Sequence, residues 1–160
     1  MRKVRVRAAL YPLVVSAIIL LSGCAGSGRD GDDAGLARKR SAVVAAGLSQ
    51  IGSPYVYGAE SPGTGFDCSG LTYYAHQAAG LSIPRAAIKQ RDASKPVSVG
   101  NLRPGDMVFF KTGPSSYHVG LMVDQQRFVH ASVSKRKVRM DRLDTPYWQG
   151  CFLGAGTYLR

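Results

Sequence analysis

Between residues 41 and 51, apolar side chains fall at Val43, Val44, Leu48 and Ile51. That is the spacing of one helix face, and it predicts a helix over 41–51. A second helix is predicted over 68–79, where Leu71 to Ala79 keeps a helical pattern and Gly80 supplies a stop. Beyond residue 106 the pattern changes to short apolar runs separated by turn residues. Strands are predicted over 107–111, 118–124, 127–133, 137–143 and 152–159. Helices first and strands after imply an α+β fold, with helices packed on an antiparallel sheet of about five strands.

The first 40 residues stand outside this scheme. Arg2, Lys3, Arg5 and Arg7 form a basic start, followed by an apolar run from Ala8 to Leu20 that only Pro12 and Ser16 interrupt. The run is shorter than the roughly 20 apolar residues a membrane span needs, so it reads as a secretory signal. An uncleaved anchor is the alternative, and it would equally put the domain outside the cytoplasm. Leu21-Ser22-Gly23-Cys24 resembles the bacterial lipoprotein box, which implies a signal peptide over 1–23 and lipid on Cys24. Ala25 follows, with no aspartate to suggest inner-membrane retention. By analogy with diderm lipoproteins, the expected location is the cell envelope, at the outer membrane facing the periplasm. Residues 24–40 are rich in Gly, Ser, Asp and Arg and read as a flexible tether, with a reach of about 20–24 Å. Arg38-Lys39-Arg40 is then expected to be solvated. Residues 41–160 suit a single domain with a core of its own.

The candidate chemistry centres on Phe66-Asp67-Cys68-Ser69-Gly70-Leu71. A cysteine opening a helix sits at the positive end of the dipole, which favours thiolate, the nucleophilic form. A buried cysteine at a helix start is the plainer reading. A cysteine nucleophile needs an imidazole to take its proton, and that imidazole needs an orienting group. His118 and His130, on neighbouring predicted strands, can fill those roles. His76, on the second helix, reads as a surface or packing residue. A two-residue loop at Gln125-Gln126 would put the two strand histidines on opposite faces. A three-residue loop over 124–126 would set His130 opposite Gly120, on the His118 face and about 7 Å away. The site therefore requires an odd loop or a bulge, although no Gly or Asn supplies a left-handed residue there. A metal site of Cys68, His118, His130 and Cys151 is conceivable, but no pair has the short spacing common in zinc sites. Cys151 reads as a small buried residue. A Cys68–Cys151 disulfide is arithmetically possible and would block the nucleophile.

Tyr55-Val-Tyr-Gly58, Phe66-Asp-Cys-Ser-Gly-Leu71, Ile83-Pro-Arg85, Leu102-Arg-Pro-Gly-Asp106, His118-Val-Gly120, Phe128-Val-His-Ala-Ser132 and Pro146-Tyr-Trp148 occur in this order. Over roughly residues 41–159 the chain resembles the NlpC-type, papain-like cell-wall cysteine endopeptidases. Among these it is similar to the lipoprotein murein DD-endopeptidases. The resemblance implies Cys68 as nucleophile, His118 as general base and His130 as the orienting group. Tyr55 would help stabilise the oxyanion, and Asp67 and Ser69 would line the subsite before the scissile bond. Arg85 would stand near the cleft, where it could bind a substrate carboxylate. No cofactor is implied. Ala59 departs from the family's second glycine, which puts the path of residues 60–65 in doubt.

The substrate implied is the stem peptide of peptidoglycan. The bond favoured is the D-alanyl–diaminopimelate cross-link, with the γ-D-glutamyl–diaminopimelate bond as the alternative. The formal net charge of +11, about +7 without the leader, suggests an anionic partner. For an exported chain that means wall carboxylates and membrane lipids rather than nucleic acid. Lys89 and Arg91 are the expected carboxylate contacts, and Lys135-Arg136-Lys137 with Arg139 reads as a solvated turn. A lipid-anchored wall-binding protein with an idle site, or a transferase using the same thiol, are the rival classes.

Overall fold

The structure, a computed structural model, describes residues 27–160, with side chains from residue 31 onward. The expected signal segment and the lipid site at Cys24 lie outside the described residues. The first described helix, α1, runs Ser27–Leu48. It corrects the expected tether, because residues 27–40 continue the helix predicted from Ser41. Ala34, Leu36 and Ala37 are good helix formers, and the segment is docked rather than free. Leu36 packs on the main core. The Arg40 guanidinium donates to Pro104 O and Asp106 Oδ1, both at 2.8 Å, and to Leu159 O at 3.2 Å. One cation of the supposedly solvated run thus clamps α1 to the sheet. Further along, a Cβ on Gly47 would meet Leu121 Cδ2 at 2.9 Å, so glycine lets the helix close onto the sheet.

A short hairpin, β1 (Glu60–Ser61) and β2 (Gly65–Phe66), leads into α2 (Cys68–Ala78) and then α3 (Ala87–Ala93). The strands are β3 (Lys95–Val97), β4 (Met107–Gly113), β5 (Ser116–Met122), β6 (Arg127–Ser132), β7 (Lys137–Arg142) and β8 (Phe152–Thr157). Helix α4 (Pro146–Cys151) precedes β8, with proline at its first turn. The sheet is antiparallel and has six strands in the order β3-β8-β4-β5-β6-β7. The α+β expectation holds. The strand missed by the pattern is β3, whose Lys95-Pro96-Val97 is too short and too polar to carry an apolar signature.

Strand alternation divides the interior in two. Met107, Phe109, Val119, Leu121, Val129, Ala131 and Val138 join the helices in one core. Val108, Phe110, Met122 and Phe128 meet Trp148 in the other. Both sheet faces are covered, and the second core backs the two strand histidines.

Candidate active site

Asp67 caps α2. Its Oδ1 accepts from Gly70 N–H at 2.6 Å and its Oδ2 from Gly58 N–H at 2.9 Å. The cap fixes Cys68 as the first residue of the helix. With the Gly70 N–H taken by the cap, the Cys68 and Ser69 N–H groups of that first turn are left without an intrahelical partner. The Val119 N–H on β5 points at the Cys68 sulfur, so the thiol lies against the strand position next to His118. Burial pushes the Cys68 thiol up to about 11, with the Asp67 charge adding to it and the Val119 N–H opposing it. This corrects the dipole-based expectation of a resting thiolate, because desolvation outweighs the helix terminus.

The β5–β6 register answers the parity question. Leu121 pairs with Val129 and Met122 with Phe128, which continues to Gly120 opposite His130 across a three-residue loop over 124–126. No left-handed residue is needed there. The Asp124 Oδ1 accepts from Gln126 N–H at 2.8 Å and Arg127 N–H at 2.7 Å, so a carboxylate closes the turn. Gly120 is required for another reason: a Cβ there would stand 2.3 Å from the Phe128 ring. His118 and His130 therefore share a face, with His118 Nε2 at 2.8 Å from His130 Nδ1.

The line continues to a residue the sequence did not single out. His130 Nε2 lies 3.1 Å from Asp141 Oδ2. Trp148 Nε1–H donates to the same oxygen at 3.2 Å, and Arg139 pairs with Oδ1 at 2.8 Å. Burial acts to raise the Asp141 carboxyl. The His130 bond and charge, Arg139 and the Trp148 N–H outweigh it and hold the group below the usual carboxylate range. Ionised Asp141 can only accept, so His130 carries its proton on Nε2. When His130 holds that proton alone, its Nδ1 accepts, and His118 must donate from Nε2. That leaves His118 Nδ1 as a bare lone pair, the form a general base needs. Burial first, and the neighbouring His130 second, pull His118 down to about 3, so the resting imidazole is neutral.

Trp148 stacks on His118, with ring centroids 5.5 Å apart at 20°, and meets His130 edge-on at 5.2 Å. One side chain thus braces both rings and the carboxylate behind them. The sequence held Trp148 only within a block of resemblance. Asp141 lay on a predicted strand, but only the β6–β7 register puts it within reach of His130.

The other expected residues divide. Tyr55 is raised by burial and then by the nearby Cys68 and Asp67. Ser69 is buried and donates to Asp67 Oδ1 at 3.2 Å. Arg85 departs from its expected role with a substrate carboxylate. It donates to both Asp67 oxygens, to Ser69 Oγ and to Ala59 O, and its Nε pairs with Glu60. Its donors are all engaged by its own chain. Ala59 keeps an ordinary backbone while Gly58 takes the left-handed conformation at φ 78, and the Ala59 carbonyl accepts from Asp67 N–H at 3.0 Å. His76 is a packing residue, fully buried, with Nδ1 bonded to Thr72 O at 2.8 Å. Cys68 and Cys151 are free thiols. Lys89 and Arg91 are exposed on α3, whereas the cations that line the cavity at His118 are Lys135 and Arg139.

A family model described as the NlpC/P60 family matches residues 52–157. The chain is 40% identical over 114 residues to the murein DD-endopeptidase MepH of Escherichia coli, a match covering 68% of this chain and 42% of that protein. It is 41% identical over 117 residues to the gamma-DL-glutamyl hydrolase of Bacillus subtilis, covering 70% of this chain and 28% of that one. Among solved structures, an NLP/P60 family protein from Staphylococcus aureus, described as similar to lipoprotein, superposes with a TM-score of 0.70 at 34% identity. That match covers 77% of this chain and 42% of the other. The chain thus spans less than half the length of each of these relatives. The capped cysteine, the paired histidines and the antiparallel sheet beneath them agree with the family match over two-thirds of the sequence, and the chain belongs to the NlpC/P60 family.

Proposed function

We propose that this chain is a peptidoglycan hydrolase, a cysteine endopeptidase that cleaves stem peptides. The observation that carries the reading is the unbroken line from Asp141 through His130 to His118, which leaves a bare imidazole nitrogen on the residue next to Val119, whose N–H meets the helix-capped Cys68 thiol. In the reaction, His118 Nδ1 takes the Cys68 proton as the sulfur attacks the peptide carbonyl. The Cys68 N–H and the Tyr55 hydroxyl stabilise the oxyanion. The tetrahedral intermediate collapses, the C–N bond breaks, and the leaving amine takes the proton from His118. Water then attacks the thioester, giving its proton to His118, and the acid departs as the thiol is restored. His130 and Asp141 move no proton; they hold the His118 ring and tautomer and stabilise its transient charge. Asp67 and Ser69 line the acyl side, and Arg85 acts through Asp67.

The bond favoured is the D-alanyl–diaminopimelate cross-link. The γ-D-glutamyl–diaminopimelate bond is the second reading, supported by the name of the Bacillus relative. The chain works in the cell envelope, tethered by lipid on Cys24 to the outer membrane, a reading supported by the basic start, the apolar run and the Leu21-Ser22-Gly23-Cys24 box. Loss of palmitate labelling in Cys24→Ala tests the anchor. For the activity, the full-length protein and Cys68→Ala are incubated with purified cross-linked peptidoglycan, and the products are resolved by liquid chromatography and mass spectrometry. Monomers released from dimers only by the intact thiol are expected. Stems ending at D-glutamate would move the cut to the other bond. Conjugates in place of free acids would indicate transfer, and no product from folded, reduced protein would leave the wall-binding reading.

A further inference from the structure

On the face of the sheet that carries His118 and His130 lies a cavity of about 590 Å³. Its lining includes His118 and none of Tyr55, Asp67 or Cys68. The acyl half of a peptide bond must lie against the nucleophile and its oxyanion donors, whereas the departing nitrogen must reach His118 for its proton. This cavity is therefore on the leaving-amine side. Two cations line it, Lys135 and Arg139, against a single carboxylate, Asp141.

The fold places Arg139 on the histidine face and Lys135 at the exposed edge of the cavity. Arg139 pairs directly opposite His130 across β6 and β7, which puts it on the histidine face rather than on an outer rim. It is half-buried there, with one N–H pair toward Asp141 Oδ1. Lys135 sits in the β6–β7 turn, where Arg136 adopts a left-handed conformation at φ 55 and the Lys135 N–H donates to Ser132 Oγ at 3.3 Å. Asp141 already accepts from His130, Trp148 and Arg139. Lys135 is in no ion pair among the described residues. A concave site with a guanidinium fork, an ammonium and the Thr112 and Ser116 hydroxyls on its wall is built for a small anion of carboxylate type.

We propose that Lys135 and Arg139 form a subsite for a free carboxylate borne by the carbon attached to the leaving nitrogen. The inference rests on the endopeptidase reading and decides between its two bonds. At a D-alanyl–diaminopimelate cross-link, the amine that departs is on the D-centre of diaminopimelate, whose own α-carboxylate is free. At the γ-D-glutamyl–diaminopimelate bond of a tetrapeptide stem, the carbon bearing the departing amine carries a carbonyl already amidated to D-alanine. Only the cross-link presents a carboxylate to this cavity. Lys135 and Arg139 are thus specificity residues for cross-link cleavage.

The test compares two purified cross-linked muropeptide dimers, one with that carboxylate free and one with it converted to a carboxamide. Full-length protein is assayed against both, alongside Lys135→Ala and Arg139→Lys, with folding checked by circular dichroism. The wild type is expected to lose about tenfold or more in kcat/KM on the amidated dimer, the size of losing one charge-assisted contact. Lys135→Ala should lose a similar factor on the free acid, mostly in KM, and nothing further on the amide. Arg139→Lys, which keeps the charge, should lose less than Lys135→Ala. Equal cleavage of both dimers by wild type, or equal losses on both in Lys135→Ala, would overturn the subsite and leave the hydrolase standing. Cleavage only at the glutamyl bond would overturn it too. No cleavage of either dimer by folded, reduced wild type would overturn the endopeptidase reading itself.

Discussion

Asp141→Asn is the perturbation that isolates the tautomer argument. The carboxylate is surrounded by donors: His130 and Trp148 meet Oδ2, and Arg139 meets Oδ1. An amide has one acceptor to offer them. If its oxygen turns to Arg139, its NH₂ group faces His130 Nε2 and forces the His130 proton onto Nδ1. His118 Nε2 must then accept, its proton moves to Nδ1, and the base facing Cys68 is lost. If its oxygen turns to His130, the NH₂ group opposes the Arg139 guanidinium. Where such an amide stands directly behind a catalytic imidazole, the loss in kcat is about 10⁴-fold. Here His130 intervenes and one rotamer keeps the working tautomer, so a loss of about 10²-fold in kcat is expected, roughly 2.7 kcal/mol. KM should stay within about twofold, because Asp141 is engaged by its own chain. Initial rates on a cross-linked muropeptide, read by chromatography beside a thermal melt, measure this. A kcat within threefold of wild type, at unchanged melting temperature, would refute the reasoning.

Because burial holds the thiol up at about 11 and the imidazole down at about 3, Cys68 rests as a neutral pair with His118. Its alkylation by iodoacetamide should therefore climb with pH from 6 to 9, and a fast plateau from pH 5 upward would reveal a thiolate–imidazolium pair instead. His130→Asn should keep more activity than His118→Asn, since an amide oxygen can still accept from His118 Nε2; equal and total loss in both would give His130 another role. Gly70→Ala places a Cβ 2.1 Å from Ala59 O and 3.0 Å from the Arg85 guanidinium. It should lower the melting temperature by about 10 °C or more, and a neutral melt would mean the Asp67–Arg85 corner relaxes freely.

The helices were legible from one apolar stripe each, and most of the sheet because strands buried on both faces read as short continuous apolar runs between turn residues. The cysteine was legible because it opens a predicted helix, a position with a local meaning. The histidine pairing reduced to a single parity choice, and the sequence stated the choice without resolving it. Asp124 closes the turn with its carboxylate, a device that glycine-based turn rules do not score. The tether was misjudged for the opposite reason. Its charges looked solvated in isolation, and only Asp106 and the Pro104 and Leu159 carbonyls, distant in sequence, show why Arg40 holds a helix there.

What stayed hidden has a common cause: it depends on strand register across a second hairpin. Arg139 and Asp141 alternate with Val138 and Met140, and nothing local distinguishes them from the exposed charges of any edge strand. Pairing β7 with β6 sets Arg139 opposite His130 and Asp141 opposite Phe128, which turns both charges onto the histidine face. The same two-residue period that was read for burial therefore also carries the chemistry. A shift of one residue in this register would put Val138 and Met140 behind His130 and both charges on the other face. The left-handed Arg136 and the Ser132–Lys135 bond hold the turn at one length. That turn thus sets the proton donor and acceptor pattern at His118 as firmly as the histidines themselves.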